Sequence, residues 1–76
     1  MNDSRRKLLK KAIEALETAE HFVDMVLEGE QDSLDNMPES LSESERCIKM
    51  ESAIELLEEA LEHITDAQQN IEDATA

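Results

Sequence analysis

The sequence predicts an all-α fold, a helical hairpin of two long helices that dimerises into a four-helix bundle. Three observations carry this prediction. Apolar residues recur in alternating steps of three and four along two long stretches, the spacing that gathers side chains on one face of a helix. The composition is rich in Ala, Glu, Leu, Ile and Lys. It has one aromatic residue, Phe22, with one Gly and one Pro, poor material for sheets and tight hairpins. At 76 residues the chain is a single domain, 1–76, with a small core, and the lone Cys47 allows no disulfide framework. Self-association is the remaining way to gain core.

The first helix is expected over about residues 4–28. Its apolar positions are Leu9, Ala12, Ile13, Leu16, Ala19, Val23, Val26 and Leu27, with Leu8 and Phe22 on a flank. Asn2, Asp3 and Ser4 are candidates for the N-cap, and Gly29 reads as the C-terminal stop. A linker follows over about 29–41. Within it Leu34, Met37 and Leu41 are spaced to pin the chain against the bundle end, and Pro38 biases Met37 to an extended shape.

The second helix is expected over about 42–73. Cys47, Met50, Ile54, Leu57, Leu61, Ile64, Gln68 and Ile71 keep a seam rhythm for nearly four heptads. Ala53, Ala60, Ala67 and Ala74 recur every seven residues beside it, so another helix backbone can approach closely there. A stripe that wide serves two neighbours, which indicates a bundle. Two capping boxes, Ser40 with Glu43 and Ser42 with Glu45, are expected to start this helix. With a longer second helix, the Gln68–Ala76 end is expected to overhang the first.

Charge bounds the function. The chain has 20 Asp and Glu against 7 Lys and Arg. Arg5, Arg6, Lys7, Lys10 and Lys11 against Asp3 leave +4 in residues 1–11, and the rest carries −17. Over most of its surface such a chain repels nucleic acid and anionic membrane, so neither is expected as a direct partner. No apolar run reaches the length of a membrane span, and residues 1–11 lack the apolar stretch of a signal peptide. The expected location is the cytoplasm, with a reduced thiol.

Chemistry finds few footholds. Thr18 and Ala60 stand three residues before His21 and His63, where a di-iron bundle would need Glu, so no metal is expected. Glu17 and Glu59 precede the histidines by four and read as ordinary helix-surface pairs. The Asp32–Asp35 region lacks the length and central Gly of an EF-hand. One Gly cannot build a phosphate cradle, and Cys47 sits at a seam position rather than beside a general base. No enzyme activity and no cofactor are expected.

Two groups of residues remain as candidate interaction sites. Glu55, Glu58, Glu59 and Glu62 form an acidic face on the second helix. Asp35, Asn36, Ser40, Ser44, Arg46 and Lys49 cluster in the linker and the start of that helix, more than capping alone explains.

The linker block also carries a resemblance. Asp35-Asn36-Met37-Pro38-Glu39-Ser40-Leu41, then Ser44-Glu45-Arg46, Lys49-Met50-Glu51 and the helix through Ala53-Ile54 and Leu57-Glu58-Glu59-Ala60, resembles a group of short acidic proteins from phages and prophages of Gram-positive gut bacteria. Those proteins share an Asp-Asn-Leu-Pro-Glu-Ser-Leu-like block followed by Ser-Glu-Arg. The resemblance spans about residues 5–70. Met37 departs from its Leu and Cys47 from its Gly, and the second departure argues against an essential thiol.

The resemblance implies a phage origin and a cytoplasmic location in the host. Three roles stay open. One is an anti-defence protein, anti-CRISPR-like, whose carboxylates mimic DNA phosphates and inhibit a basic host protein. Another is a structural or adaptor homodimer in phage replication or assembly. The third is sequestration of a small anionic ligand by Arg46, Lys49, Asn36 and the linker serines.

Overall fold

Asn2 starts the first helix. In a computed structural model that describes all 76 residues, α1 spans Asp3–Asp35, and the Asn2 side chain accepts a hydrogen bond from Arg5 N–H at 2.8 Å. A three-residue 3-10 turn, Glu39–Leu41, follows. The second helix, α2, spans Glu45–Thr75 and returns antiparallel along α1. The molecule is therefore an all-α helical hairpin without strands.

α1 runs seven residues past its expected end. Gly29 does not stop it, because its backbone is not left-handed, and a glycine inside a helix costs only about 1 kcal/mol relative to Ala. Continuing the helix carries Glu30, Leu34 and then Met37 onto the seam, where all three are half-buried. Pro38 is the real terminator, since it disfavours helical backbone at Met37. Asn36 closes the helix with its N–H on the Asp32 carbonyl at 3.1 Å. Asp35 is thus a helical residue, and the linker is 36–44 rather than about 29–41.

The start of α2 is also corrected. Neither expected capping box forms. Ser40 lies inside the 3-10 turn and Ser42 has helical backbone, whereas an N-cap needs an extended residue. Ser44 has that conformation, at φ −69° and ψ 155°. Its Oγ accepts the Cys47 N–H at 3.2 Å. Ser44→Ala is expected to lower the unfolding free energy by about 1 kcal/mol, read as a lower urea midpoint. An unchanged midpoint would mean that the cap is not formed.

The expected overhang of α2 is absent. With 33 and 31 residues the two helices end nearly level. Arg6 reaches across and donates from Nη1 to the Thr75 carbonyl at 3.3 Å. A cation there answers the negative end of the α2 dipole. This gives one of the N-terminal bases a role that its own helix end does not.

The seam follows one rhythm on both helices. On α1 it passes through Leu9, Ile13, Leu16, Glu20, Val23, Leu27, Glu30 and Leu34, and on α2 from Cys47 through Ile71 to Thr75. Only Leu27, Cys47 and Ile54 are buried, all in the linker half. Two polar residues occupy seam positions further along and meet, Gln68 Nε2 donating to Glu20 Oε2 at 3.1 Å. Such a pair costs apolar burial and favours one register over its neighbours.

The hairpin measures 59 × 15 × 14 Å with a radius of gyration of 17.3 Å. A compact chain of this length would have about 11 Å. No helix is long and apolar enough to cross a membrane.

Candidate functional site

Once the seam is fixed, the two helices of the hairpin have two sides, and the side chains divide sharply between them. In an antiparallel pair, heptad positions b and e of both helices flank one side of the seam, and positions c and g flank the other. On the first side α1 presents Lys7, Lys10, Glu14, Glu17, His21, Asp24 and Glu28. From α2 come Ile48, Glu51, Glu55, Glu58 and Glu62. Glu59 points outward beside them. All four carboxylates of the expected acidic face, Glu55, Glu58, Glu59 and Glu62, are exposed.

None of these four is neutralised within the molecule. The single ion pair of the hairpin is Lys49 with Glu45, at 3.1 Å and one helical turn apart. It is fully surface-exposed and contributes little to stability. Glu17 and Glu59 make no ion pair with His21 and His63, so the expected surface pairs do not form. His21 instead leans on Phe22, ring centroids 6.0 Å apart.

On the opposite side, neither helix carries a carboxylate at positions c and g. α1 places Arg5, Leu8, Ala12, Ala15, Ala19, Phe22, Val26 and Gly29 there, and α2 places Arg46, Lys49, Ala53, Leu56, Ala60, His63, Ala67 and Ala74. Phe22 and Leu8 are 60% and 61% exposed, Val26 55%, and Leu56 62%. Val26 thus lies off the seam where the sequence expected it. The rhythm of α1 passes through Glu20, a polar seam residue that apolar counting skips; Val23 and Leu27 keep their places on it, and Val26 falls one position away. The signal was present, since Glu20 keeps the three-four spacing between Leu16 and Val23.

The linker group is only partly brought together. Arg46 and Lys49 line an open cleft of about 480 Å³ with Glu30, Glu45, Met50 and Ala53. Ser44 is outside it and is committed to the cap of α2, while Asn36 closes α1. Asp35 and Ser40 do not line it either. Two cations there face two carboxylates, so the cleft offers an anion no net positive charge. A smaller cleft of about 260 Å³ lies at the other end, between Met1, Arg5, Leu8 and Leu9. No group of His, Cys, Asp and Glu is placed to hold a metal ion.

Cys47 is packed in the seam, 3% exposed, with Sγ 3.6 Å from Glu51 Oε1. Burial pushes the thiol above its ordinary value of 9.0, and the Glu51 charge and hydrogen bond push it further. The folded state therefore prefers the protonated thiol. Its contribution to stability is fully present below the unfolded thiol pKa and is lost as pH rises through the higher folded one. Unfolding titrations should show a decline above about pH 9 that Cys47→Ser removes. A decline of equal size in that variant would assign it to other groups.

Comparison with protein-family models, curated proteins and solved structures returns no significant match.

Proposed function

We propose that this is a non-catalytic binding protein of the phage type, a homodimeric four-helix bundle that engages a basic host protein through its carboxylate faces. The observation that carries the reading is the sidedness of the charge. Glu55, Glu58, Glu59 and Glu62 lie exposed on one helix with no counterion, and the α1 carboxylates extend the same side. Two copies would carry twice −13. A field of that size steers a basic groove from a distance and competes for it as a phosphate backbone does. The partner class is a defence or nucleic-acid-acting protein of the host, and the place of action is its cytoplasm.

A second reading is favoured by the carboxylate-free side. A structural or adaptor dimer in phage replication or assembly would use apolar surface for binding and charge for solubility alone. Native mass spectrometry at low salt, on protein purified from its host background, separates the two. Inhibition by mimicry predicts a copurifying basic protein that is released as salt rises. The adaptor role predicts a partner that resists salt, or a bare dimer.

A further inference from the structure

We infer that the carboxylate-free side is the docking surface for a second copy of this chain. The two copies lie head to tail, α1 on α1 and α2 on α2, about a two-fold axis perpendicular to the helices near Ala19. This deepens the homodimeric reading above and rests on it.

The need for a partner comes from burial. Three buried side chains are a small core for two helices of over thirty residues each, while Leu8, Phe22, Val26 and Leu56 stand more than half exposed on one side. The face is also large enough. About 50 Å of helix length and about 18 Å for two helices side by side give roughly 900 Å² per copy. Standard stable interfaces use about 800 Å² per partner.

The occupant is identified by self-complementarity. A two-fold contact sets each residue against its mirror position. With α1 antiparallel to its own copy about Ala19, Ala12 stands opposite Val26, while Leu8 falls nearest Gly29 and Ala15 nearest Phe22 on this face, each within one position of its mirror point. Each large side chain meets a small one. Ala53, Ala60, Ala67 and Ala74 let the α2 backbones approach in the same way.

Charge selects the head-to-tail arrangement. Residues 1–11 carry +4, whereas residues 28–49 hold seven carboxylates against two bases, Arg46 and Lys49. An axis parallel to the helices would stack like ends on like ends. The perpendicular axis sets each basic end against an acidic linker end. It also lays the Met1, Arg5 and Leu8 cleft of one copy over the Glu30 cleft of the other, both being on this side of the hairpin. Arg5 then comes within a helical turn of Glu30 and Asp32.

The test is oxidative crosslinking of the full chain carrying Ala19→Cys, or Leu8→Cys with Gly29→Cys. Links are mapped by mass spectrometry of the digest, so that any reaction of Cys47 is recognised. Native mass spectrometry reads the oligomeric state. A dimer joined through position 19, and between positions 8 and 29 of different copies, is the expected result. A dimer that links only in an Ala19→Cys, Ala67→Cys variant, between positions 19 and 67, would place the axis along the helices, since Glu20 lies level with Gln68 in the hairpin. That outcome overturns this inference and leaves the homodimer standing. A monomer at micromolar concentration overturns both.

A second measurement reads the face itself. Phe22→Glu is expected to weaken the dimer about 100-fold or more, as loss of a central aromatic does. Met25→Glu, on the outward side of the same helix and 55% exposed, should leave the dimer unchanged. The reverse pattern would sink the assignment.

Discussion

Ile54→Ala is expected to lower the unfolding free energy by about 2–4 kcal/mol, the cost of removing a buried branched side chain and leaving a cavity. The effect is large here because Ile54 is one of only three buried residues. It sits one heptad from Cys47 on the seam, and its loss opens the best-packed part of the hairpin. Small domains have little stability to spare, so the variant should be partly unfolded at room temperature. Ile48→Ala is the matched control. Ile48 is 59% exposed, and its truncation should change stability by no more than about 0.5 kcal/mol. Urea unfolding followed by helical circular dichroism reads both. Equal losses in the two variants would mean that the seam is misassigned.

The seam of α2 was legible because it is almost wholly apolar from Cys47 to Ile71. The end of α1 was not, and the reason is a competition between local and tertiary terms. Gly29 is a local stop signal worth about 1 kcal/mol. Against it stand Leu34 and Met37, half-buried on the seam over the start of α2. Apolar contact with another helix outweighs one unfavourable glycine, and only the fold reveals that contact. The N-cap of α2 failed to be read for a different reason. Ser40, Ser42 and Ser44 alternate through the linker, and the choice among them depends on where the 3-10 turn after Pro38 places extended backbone.

The candidate site was legible as a charge count and not as a geometry. The sequence shows an excess of carboxylates and names the densest run on α2. It does not show that the two helices turn their carboxylates to one side and Leu8, Phe22, Val26 and Leu56 to the other. That division needs the register of both seams, and the register of α1 hinges on Glu20. The residue looks like a surface carboxylate in the sequence, yet it accepts a hydrogen bond from Gln68 across the helix pair. The linker group was legible as unusual composition. Its serines and Asn36 turned out to be engaged in turning the chain, which leaves Arg46 and Lys49 beside Glu30 and Glu45.

Reversing the charge of Glu55, Glu58, Glu59 and Glu62 to Lys is expected to weaken binding to the basic partner at least about tenfold at low salt. The variant isolates charge from fold. All four side chains are exposed and none is in an ion pair, so no internal contact is lost. Glu55 with Glu59 and Glu58 with Glu62 are like-charge pairs one turn apart. Lys replacements repel one another as the Glu pairs do, by a few tenths of a kcal/mol, so helix content and unfolding midpoint should hold. Net charge moves from −13 to −5 per copy, two units for each of four positions. The steering field falls accordingly, and most of the change should appear in the association rate. In 1 M salt the screening length is about 3 Å, and wild type and variant should converge. Affinity measured across a salt series on both proteins decides the matter. If the variant binds as tightly as wild type at low salt, the carboxylates serve solubility alone and the mimicry reading fails.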